Sequence, residues 1–205
     1  MYLPSRTVER LSKYRRLLEK LKESEESYIF SHQLARMLNL TPVQVRRDLM
    51  LIGFSGNHRK GYHINELLEL IGHTIDREEG HNIAIVGMGN LGRAVTRFIR
   101  KNNSRMNIVA SFDIDQSKIN DSMEGVPCYN VSKIDHFIQK LGIDIIVLTA
   151  SSESAQQIVD EVISSGVKGI LNFTSAHLVV PKYIYLKDYD IITSLEEIGF
   201  FIKNP

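Results

Sequence analysis

Residues 82–92 read NIAIVGMGNLG, and this stretch decides the fold of the larger part of the chain. Its first five residues form an apolar run that is typical of a buried parallel strand. The last six follow the pattern G-x-G-x-x-G: Gly87 permits a tight turn, Gly89 lets the backbone approach a pyrophosphate, and Gly92 lets a helix pack closely on the strand. We expect that helix over about residues 90–101, which completes the strand–turn–helix start of a dinucleotide-binding fold.

An acidic residue follows at the distance that such a fold requires. A second strand, expected over residues 107–112, ends in Asp113, 21 residues after Gly92. A carboxylate there hydrogen-bonds the ribose 2′-hydroxyl and repels a 2′-phosphate, which favours NAD(H) over NADP(H). The glycine pattern, its strand and the acid together predict dinucleotide binding. The alternative is a tight βαβ turn that holds no ligand.

Strands and helices continue to alternate after Asp113. Residues 135–141 and 154–164 have helical patterns, and residues 143–149 and 169–173 have the composition of buried strands. This order predicts a doubly wound parallel sheet, in which ligands bind outside the carboxyl ends of the strands. Four residues end strands on that side and are candidates to border a nicotinamide, the alternative being loop and cap residues: Thr149, Ala150, Asn172 and Phe173.

The chain before the first strand has a different, helical pattern. We expect a helix over residues 7–22 with Thr7 as its N-cap, and a short helix over residues 31–38. After a tight turn, Thr41 caps a third helix, with Pro42 at its first position. Two short helices joined in this way predict a helix-turn-helix, although many three-helix domains share the pattern. The apolar side of the first helix is expected to be Val8, Leu11, Leu18 and Leu21, with Tyr14 on its flank.

The third helix carries side chains suited to nucleic-acid contact. Gln44, Arg46 and Arg47 lie outside its apolar face. Arginine hydrogen-bonds guanine and glutamine hydrogen-bonds adenine in the major groove, and either can hold phosphate. The alternative is that all three face solvent and that Gln44 serves only the helix cap. The apolar face itself is formed by Val45, Leu49 and Ile52.

A turn-rich, basic segment over residues 53–64 follows the third helix. It is bounded by strand-like residues and predicts a β-hairpin wing. Arg59 and Lys60 at its tip would reach phosphate or the minor groove. We interpret His58 and His63 as neutral wing residues.

The net charge of +1 over 205 residues hides a division of the chain. Residues 1–63 hold 12 Lys and Arg against 6 Asp and Glu, a net charge of +6. Residues 64–205 hold 13 against 18, a net charge of −5. A basic module favours a phosphate polyanion as partner, the alternative being a solvated charged surface.

Composition excludes several classes of protein. No apolar run approaches the roughly 20 residues of a membrane span, and the charged residues 1–22 do not form a signal peptide. The single cysteine, Cys128, cannot form an internal disulfide, which suits a reducing cytosol, and we expect it to be a packed core thiol. No spacing among the seven histidines and Cys128 resembles a metal site.

The sequence also argues against catalysis. A dehydrogenase needs a positioned proton donor or acceptor and a substrate domain, and few residues after Asp113 are left to build one. His177 is the only histidine near the strand ends, and we interpret it as a loop residue. We therefore expect no catalytic residues. The rival hypotheses are a small NAD-dependent oxidoreductase with a helical oligomerisation domain, and a DNA-binding scaffold whose Rossmann fold is empty.

The last predicted helix has a strongly apolar face. It could cover its own sheet, or it could cross to a partner in a symmetric dimer, as DNA-binding domains of this kind often do. Its apolar residues are Ile191, Leu195, Ile198 and Ile202, with Phe200 and Phe201 beside them.

With these features together, the chain resembles the redox-sensing transcriptional repressor Rex family over nearly its whole length. The resemblance rests on Pro4-Ser5, Arg10-Leu11, Thr41, Gln44-Val45-Arg46-Arg47-Asp48-Leu49, Gly61-Tyr62, Val86-Gly87-Met88-Gly89-Asn90-Leu91-Gly92, Phe112-Asp113, Gly169-Ile170-Leu171-Asn172-Phe173 and the terminal Asn204-Pro205. It implies an α/β protein with an N-terminal winged helix-turn-helix domain (residues 1–78) and a Rossmann-like doubly wound parallel sheet that binds NAD(H) (residues 79–189). A C-terminal helix (residues 190–205) would be swapped between the subunits of a homodimer.

The resemblance also implies a function. The protein would be a cytoplasmic bacterial repressor that reports the NADH/NAD⁺ ratio and releases operator DNA when NADH binds. The positions that match the family's DNA contacts are Ser5, Arg10, Thr41, Gln44, Arg46, Arg47, Arg59, Lys60 and Tyr62. Those that match its cofactor contacts are Gly87, Met88, Gly89, Asn90, Leu91, Gly92, Asp113, Ile114, Thr149, Asn172 and Ile191.

Two positions depart from the family pattern. Arg16 and Asp190 match an intersubunit contact that differs between the two states of the family's switch. A tyrosine joins that contact in some members, and Phe98 stands there in this chain without a hydroxyl. Where some members have a phenylalanine against the nicotinamide, this chain has Ile191, which supplies apolar contact but no ring stacking.

Overall fold

The fold is that of a computed structural model, which describes residues 3–24, 26–57, 59–102, 105–119 and 122–203. It divides into two compact units, Met1–Glu78 and Glu79–Pro205. His58, Asn204 and Pro205, which were named above, lie outside the described residues. No helix in the described ranges is both long and apolar enough to cross a membrane.

The first unit is mainly helical and confirms the predicted helix-turn-helix. Its elements are α1 (Ser5–Glu23), β1 (Tyr28–Ile29), α2 (Ser31–Met37), α3 (Pro42–Leu51), β2 (Tyr62–His63) and α4 (Ile64–Ile75). Between α2 and α3, Asn39 adopts a φ of 53°, which asparagine tolerates better than most residues and which closes the tight turn. The apolar core consists of the inward faces of all four helices, with Leu11, Leu18, Leu34, Val45, Leu49 and Leu67 fully buried.

The start and the buried face of α1 differ from the prediction. The helix begins at Ser5 after Pro4, so Thr7 lies inside it and is buried instead of capping it. Tyr14, expected on the flank, is fully buried, whereas Val8 is exposed. Hydrophobic periodicity ranked the tyrosine below the aliphatic residues, but its hydroxyl finds an internal partner, which makes full burial favourable.

The wing is shorter than a full hairpin and has a different partner. Within residues 53–64, Asn57 and Gly61 pair through two backbone hydrogen bonds of 2.9 and 2.7 Å. β2 pairs antiparallel with β1, which precedes α2 and was not predicted. Gly61 has a φ of +83°, and a Cβ there would lie 2.6 Å from the carbonyl oxygen of Ile29, so only glycine lets the wing return against β1.

The second unit is a seven-stranded sheet with helices on its faces, which confirms the predicted Rossmann-like fold. Its elements are β3 (His81–Val86), α5 (Asn90–Asn102), β4 (Met106–Asp113), β5 (Ser122–Met123), β6 (Val126–Asn130), α6 (Ile134–Leu141), β7 (Ile143–Leu148), α7 (Ser152–Ser164), β8 (Gly169–Asn172), β9 (Tyr185–Asp188) and α8 (Ile191–Lys203). The strand order is β5-β6-β4-β3-β7-β8-β9, and all neighbours are parallel except β5 and β6. The chain winds outward from β3 in both directions, so the crevice at the carboxyl end of β3 is the topological switch point where such sheets bind ligands.

Side chains of alternate strand residues form two apolar layers. Ala84, Val86 and Leu148 face the layer that α6 and α7 cover. Ile83, Ile85 and the expected core thiol Cys128 face the opposite layer, against the α5 side chains. The buried strand β3 therefore contributes to both layers, as its continuous apolar run predicts.

The last helix, α8, buries none of its residues in the single chain. Its apolar side chains remain more than half exposed, from 54% at Ile191 to 73% at Ile202. Of the two alternatives for this helix, covering its own sheet is therefore excluded.

Candidate functional site

The glycine loop after β3 has the geometry of a phosphate-binding turn. Gly87 adopts a φ of +97°, and a Cβ on it would lie 2.7 Å from the backbone nitrogen of Ala150. A Cβ on Gly92 would collide with the carbonyl oxygen of Gly87. At Gly89, by contrast, a Cβ would meet no atom within 4 Å. The loop therefore needs glycine at two positions for its own closure, and at the third it leaves open space where a pyrophosphate is predicted.

Thr149, at the end of β7, holds this loop in place. Its hydroxyl donates to the carbonyl oxygen of Gly87 at 2.7 Å and lies 3.1 Å from that of Val86. The sequence predicts that Thr149 borders the nicotinamide, the alternative being a loop or cap residue. The side chain lines the cleft described below, but its hydroxyl proton is committed to the loop, so its position supports a role in orienting the glycines.

Asp113, the acid predicted to bind the ribose, ends β4 and is only 7% exposed. Its Oδ2 accepts a hydrogen bond from the Met88 backbone N–H at 2.8 Å and another from the Lys118 Nζ at 2.9 Å. Its Oδ1 accepts one from the Asp115 backbone N–H at 2.9 Å. Burial opposes ionisation, but these donors outweigh it and lower the pKa of Asp113. The residue is thus a carboxylate with Oδ1 still able to accept another donor.

Met88, a predicted cofactor contact, is not among the residues that line the cleft described below. Its side chain is fully buried in the layer under the sheet, and its backbone N–H is used by Asp113. It therefore positions the acid. Sequence reasoning had no signal for this bond, since a residue at an x position of the glycine pattern is read only as a loop member.

A cleft of about 650 Å³ opens at the carboxyl ends of β3, β4 and β7. It brings together the predicted residues Gly87, Gly89, Asp113, Ile114, Thr149 and Ala150. Most of the other lining residues were missed by the sequence reasoning, among them Val131, Ser132, Ser154, Gln157, Ile158 and Glu161. Val131 and Ser132 come from the turn after β6, a strand that was not predicted. The other four lie on one face of α7, and their spacing of three and four residues is the signal that could have grouped them.

Six predicted cofactor residues are not among the cleft residues: Met88, Asn90, Leu91, Gly92, Asn172 and Ile191. Asn90 and Leu91 lie at the exposed start of α5, and Ile191 lies on the exposed helix α8. Asn172 is 1% exposed and fully used: its Nδ2 donates to Asp188 and Ala176, and its Oδ1 accepts from the N–H and hydroxyl of Thr174. The polar groups of the Asn172 side chain are therefore satisfied within the protein, because the unpredicted strand β9 places Asp188 beside it, and its contact with the cofactor stays a prediction.

The second candidate site is the outer face of α3 in the first unit. Thr41 caps this helix as predicted, with its Oγ1 accepting from the Gln44 N–H at 3.2 Å. Arg46 and Arg47 are exposed. With Val43, Met50 and Leu51 they border a depression of about 420 Å³. The exposed apolar residues were missed. The sequence does carry a signal for them: Arg47 and Met50 follow Val43 by four and seven residues, which places all three on one helical face.

The wing tip also presents its cations to solvent. The backbone N–H groups of Arg59 and Lys60 donate to the Oδ1 of Asn57 at 2.8 and 3.2 Å, so Asn57 shapes the turn and both side chains remain exposed. Tyr62, another predicted DNA contact, is 8% exposed, and its ring packs on that of Phe54 with a centroid distance of 5.9 Å. Burial raises the pKa of Tyr62, so its hydroxyl stays protonated.

Arg10, one of the predicted DNA contacts, forms an ion pair with a buried carboxylate of the first unit. Its Nε and Nη2 lie 2.6 and 2.7 Å from the two carboxylate oxygens of Asp48, and the Tyr14 hydroxyl donates to the same carboxylate at 2.7 Å. Asp48 is 1% exposed and lies on the inward face of α3. Burial and the bond to Asp48 raise the pKa of Tyr14. Arg10 therefore ties α1 to α3, the helix that carries Arg46. We call Arg10, Tyr14 and Asp48 the α1–α3 clamp.

The residues of the predicted switch are exposed in the chain. Arg16 lies on the outer side of α1, and Phe98 is 67% exposed on α5. The Asp190 carboxylate caps α8, accepting from the Ile192 and Thr193 N–H groups at 2.8 and 3.0 Å. The bonds from the Thr193 hydroxyl and N–H lower the pKa of Asp190. Ser5 and His177 are likewise exposed, and the described residues contain no group of three potential metal ligands.

Comparisons with known proteins agree with the two units. Residues 2–49 match a family described as a putative DNA-binding protein N-terminus, and residues 78–176 match the CoA binding domain family. The chain is 32% identical to the redox-sensing transcriptional repressor Rex of Listeria welshimeri, over 98% of this chain and 94% of that protein. It is 35% identical to the Rex of Bacillus pumilus with the same coverage.

Solved structures of RSP, a Rex-family repressor, have the same fold. The complex of RSP with NAD⁺ and operator DNA superposes with a TM-score of 0.90 at 28% identity, covering 98% of this chain and 93% of that chain. The complex with NADH superposes with a TM-score of 0.86, covering 98% and 95%.

Proposed function

The chain belongs to the Rex family of redox-sensing transcriptional repressors, and on that premise we propose that it binds operator DNA, senses the NADH/NAD⁺ ratio and releases the operator when NADH binds. The observation that carries the proposal is the presence of both components in one chain. A helix-turn-helix with exposed arginines forms one unit, and a cleft built on a glycine loop and a buried carboxylate forms the other. The relatives named above are repressors, and we propose that this chain likewise turns over no substrate.

The cleft has the features needed to hold a dinucleotide. The open space above Gly89 accepts the pyrophosphate, and the neighbouring start of α5 supplies backbone N–H groups and the positive end of a helix dipole. Asp113 accepts the adenosine ribose 2′-hydroxyl through Oδ1. Ile114 and Ile158, which line the cleft, supply apolar contact. Met88 and Thr149 do not touch the ligand through their polar atoms; they hold the acid and the loop.

On the DNA side, Gln44, Arg46 and Arg47 are proposed to enter the major groove on α3. Arg46 donates to Ser31 at 3.2 Å, which holds its side chain across α2 and α3 before DNA is met. Arg59 and Lys60 at the wing tip are proposed to contact phosphate. Arg10 and Tyr62 support this surface from inside. The phosphate contacts give salt-dependent affinity, and the base contacts give sequence preference.

We further propose that the protein is a homodimer in which a second copy covers α8. A single helix-turn-helix reads one half-site, and two copies related by a twofold axis read half-sites about 34–36 Å apart. The exposed apolar face of α8 is the surface with the chemistry for this contact. Arg16, Phe98 and Asp190 are proposed to lie at the contact that differs between the two states.

The switch is proposed to act by population shift. NADH lacks the positive charge that NAD⁺ carries on its nicotinamide, so a closed apolar pocket favours NADH. NADH can displace DNA only by binding one arrangement of the dimer more tightly than the other. Closure of the two dinucleotide units would move the reading helices away from the half-site spacing. A coupling free energy of about 1–3 kcal/mol would be typical.

A gel-shift titration of operator DNA tests the proposal. We expect NADH to weaken operator binding and NAD⁺ to leave it intact. CoA, which gives its name to the family matched by the second unit, serves as the control nucleotide. The proposal fails if NADH leaves operator binding unchanged while the protein remains folded, or if CoA has the same effect as NADH.

A further inference from the structure

The carboxylate proposed to bind the ribose has a fixed cation beside it. The Nζ of Lys118 lies 2.9 Å from the Oδ2 of Asp113 and 3.6 Å from the Oδ2 of Asp115. The Lys118 side chain is 26% exposed, so its ammonium group is partly withdrawn from solvent yet not enclosed. Nothing in the binding scheme above uses this lysine.

The turn that carries Lys118 is held in place by its own hydrogen bonds. Lys118 ends a short 3₁₀ turn, Gln116–Lys118, whose N-cap is Asp115. The Asp115 carboxylate accepts from the Ser117 N–H at 3.0 Å and from the Ser117 hydroxyl at 2.7 Å, and the Lys118 N–H donates to the Asp115 carbonyl oxygen at 3.1 Å. Because the N-cap of this turn lies two residues after Asp113, the ammonium is held beside the Asp113 carboxylate before any ligand arrives.

The ion pair sets the charge at this end of the cleft. Asp113 and Asp115 contribute two negative charges and Lys118 one positive charge. A neutral 2′-hydroxyl can donate to Asp113 without disturbing the pair. A 2′-phosphate would meet a net negative charge, even though an ammonium lies within reach of it. Without Asp113 the remaining charges cancel, and Lys118 loses its closest carboxylate.

We propose that Lys118 is a specificity-determining residue of the cleft: it holds the Asp113 carboxylate for the ribose 2′-hydroxyl, and it is a latent binding group for a 2′-phosphate that becomes available once the Asp113 charge is removed. This inference rests on the proposed function. Discrimination between NADH and NADPH then depends on the pair of residues and not on Asp113 alone.

The test uses the full-length protein and measures binding of NADH and NADPH by nucleotide fluorescence. The variants are Asp113→Asn, Lys118→Met and the double variant, with Lys101→Met, an exposed lysine at the end of α5, as matched control. Asp113→Asn keeps the size and a hydrogen-bond acceptor. Thermal melting of each variant checks that the second unit stays folded.

Asp113→Asn is expected to weaken NADH binding about tenfold, since the ribose hydroxyl then donates to a neutral amide oxygen instead of a carboxylate, and to strengthen NADPH binding about tenfold. In the double variant the gain for NADPH should disappear. Lys118→Met alone should weaken NADPH about tenfold and NADH less than threefold, because two carboxylates then face the ligand. Lys101→Met should change neither.

Equal NADPH affinities in Asp113→Asn and the double variant would overturn the inference, as would a Lys118→Met protein whose preference between the two nucleotides is that of the wild type. Should Asp113→Asn fail to fold, the Lys118→Met result decides. The failure of the proposed function is a different result, since a wild-type protein that binds neither NADH nor NAD⁺ would contradict the function before any variant is compared.

Discussion

Replacement of Asp48 should both destabilise the first unit and disturb DNA reading. Asp48→Asn keeps the shape of the side chain but removes the charge that faces Arg10, and it leaves one acceptor oxygen where Arg10 and Tyr14 now use two. Breaking a buried ion pair by changing one partner costs about 3–5 kcal/mol, because the other charge is left uncompensated. Arg10 is 17% exposed and can recover part of its solvation, so we expect about 3 kcal/mol in the free energy of unfolding.

A second variant separates the contributions that the individual bonds of the α1–α3 clamp make to the free energy of unfolding. Tyr14→Phe removes one hydrogen bond to a charged group and should cost about 1.5 kcal/mol alone. In an Asp48→Asn background it should cost clearly less, because the carboxylate that made the bond strong is already gone. Glu19→Gln, an exposed acid on α1, is the control and should stay within about 0.5 kcal/mol.

The assay is urea unfolding followed by circular dichroism, paired with gel shifts on operator and random DNA. A tilted α3 loses base contacts but keeps its phosphate contacts, so the ratio of specific to non-specific affinity should fall in Asp48→Asn. An unfolding cost below 1 kcal/mol, or an unchanged specificity ratio in a destabilised variant, would refute the assignment of the clamp as the support of the reading helix.

Three further predictions concern the two units. Arg46→Ala should cost about 1–3 kcal/mol of operator affinity in gel shifts; an equal loss on every DNA sequence would mark Arg46 as a phosphate contact instead of a base contact. Gly92→Ala should abolish NADH binding measured by nucleotide fluorescence, because its Cβ would collide with the Gly87 carbonyl oxygen. Gly166→Ala is the control: its Cβ meets nothing within 4 Å, so it should leave NADH binding intact and lower stability only through the strain of its φ of +109°. Because the pKa of Asp113 is lowered, its contribution to the free energy of unfolding is present at neutral pH and is lost as the pH falls below about 4. In Asp113→Asn, the free energy of unfolding from urea titrations should therefore fall less steeply between neutral pH and pH 4 and below. The same pH dependence in the variant and the wild type would contradict the pairing of Asp113 with its donors.

The dimer contact gives a fifth prediction. Leu195→Glu places a charge in the middle of the apolar face of α8 and should convert a dimer into a monomer in sedimentation velocity. Glu196→Gln, one residue along the same helix, should not. A Leu195→Glu protein that sediments as the wild type does would contradict α8 as the dimer contact.

The sequence predicts best the elements whose residues are buried on both sides. Strands β3, β4, β7 and β8 follow from continuous apolar runs, and the glycine loop and Asp113 follow from spacing alone. Strand β6 escaped prediction because Pro127 interrupts its apolar pattern; the structure accommodates the proline before the first residue that pairs with β4, Cys128. Strand β9 escaped because it is an exposed edge with polar residues.

The missed site residues follow from those missed elements. The turn after β6 supplies Val131 and Ser132 to the cleft, and β9 supplies the carboxylate that occupies Asn172. Asp48 was missed for a different reason. An acid between Arg47 and Leu49 reads as a surface residue of a basic helix, and only the three-dimensional position of Arg10, 38 residues earlier, provides the partner that lets it be buried.

The exposure of α8 has a consequence for how the protein responds to its own abundance. A helix of 13 residues with no buried side chain is only marginally stable in water, since isolated helices of this length gain too little from their own hydrogen bonds. If a second copy covers it, as proposed, folding of the last segment and association of the two chains are a single event, and the apparent melting temperature rises with protein concentration. Dilution then dissociates the dimer and releases the operator, as NADH does. Below a certain number of copies in a cell, the operator is therefore free whatever the NADH/NAD⁺ ratio.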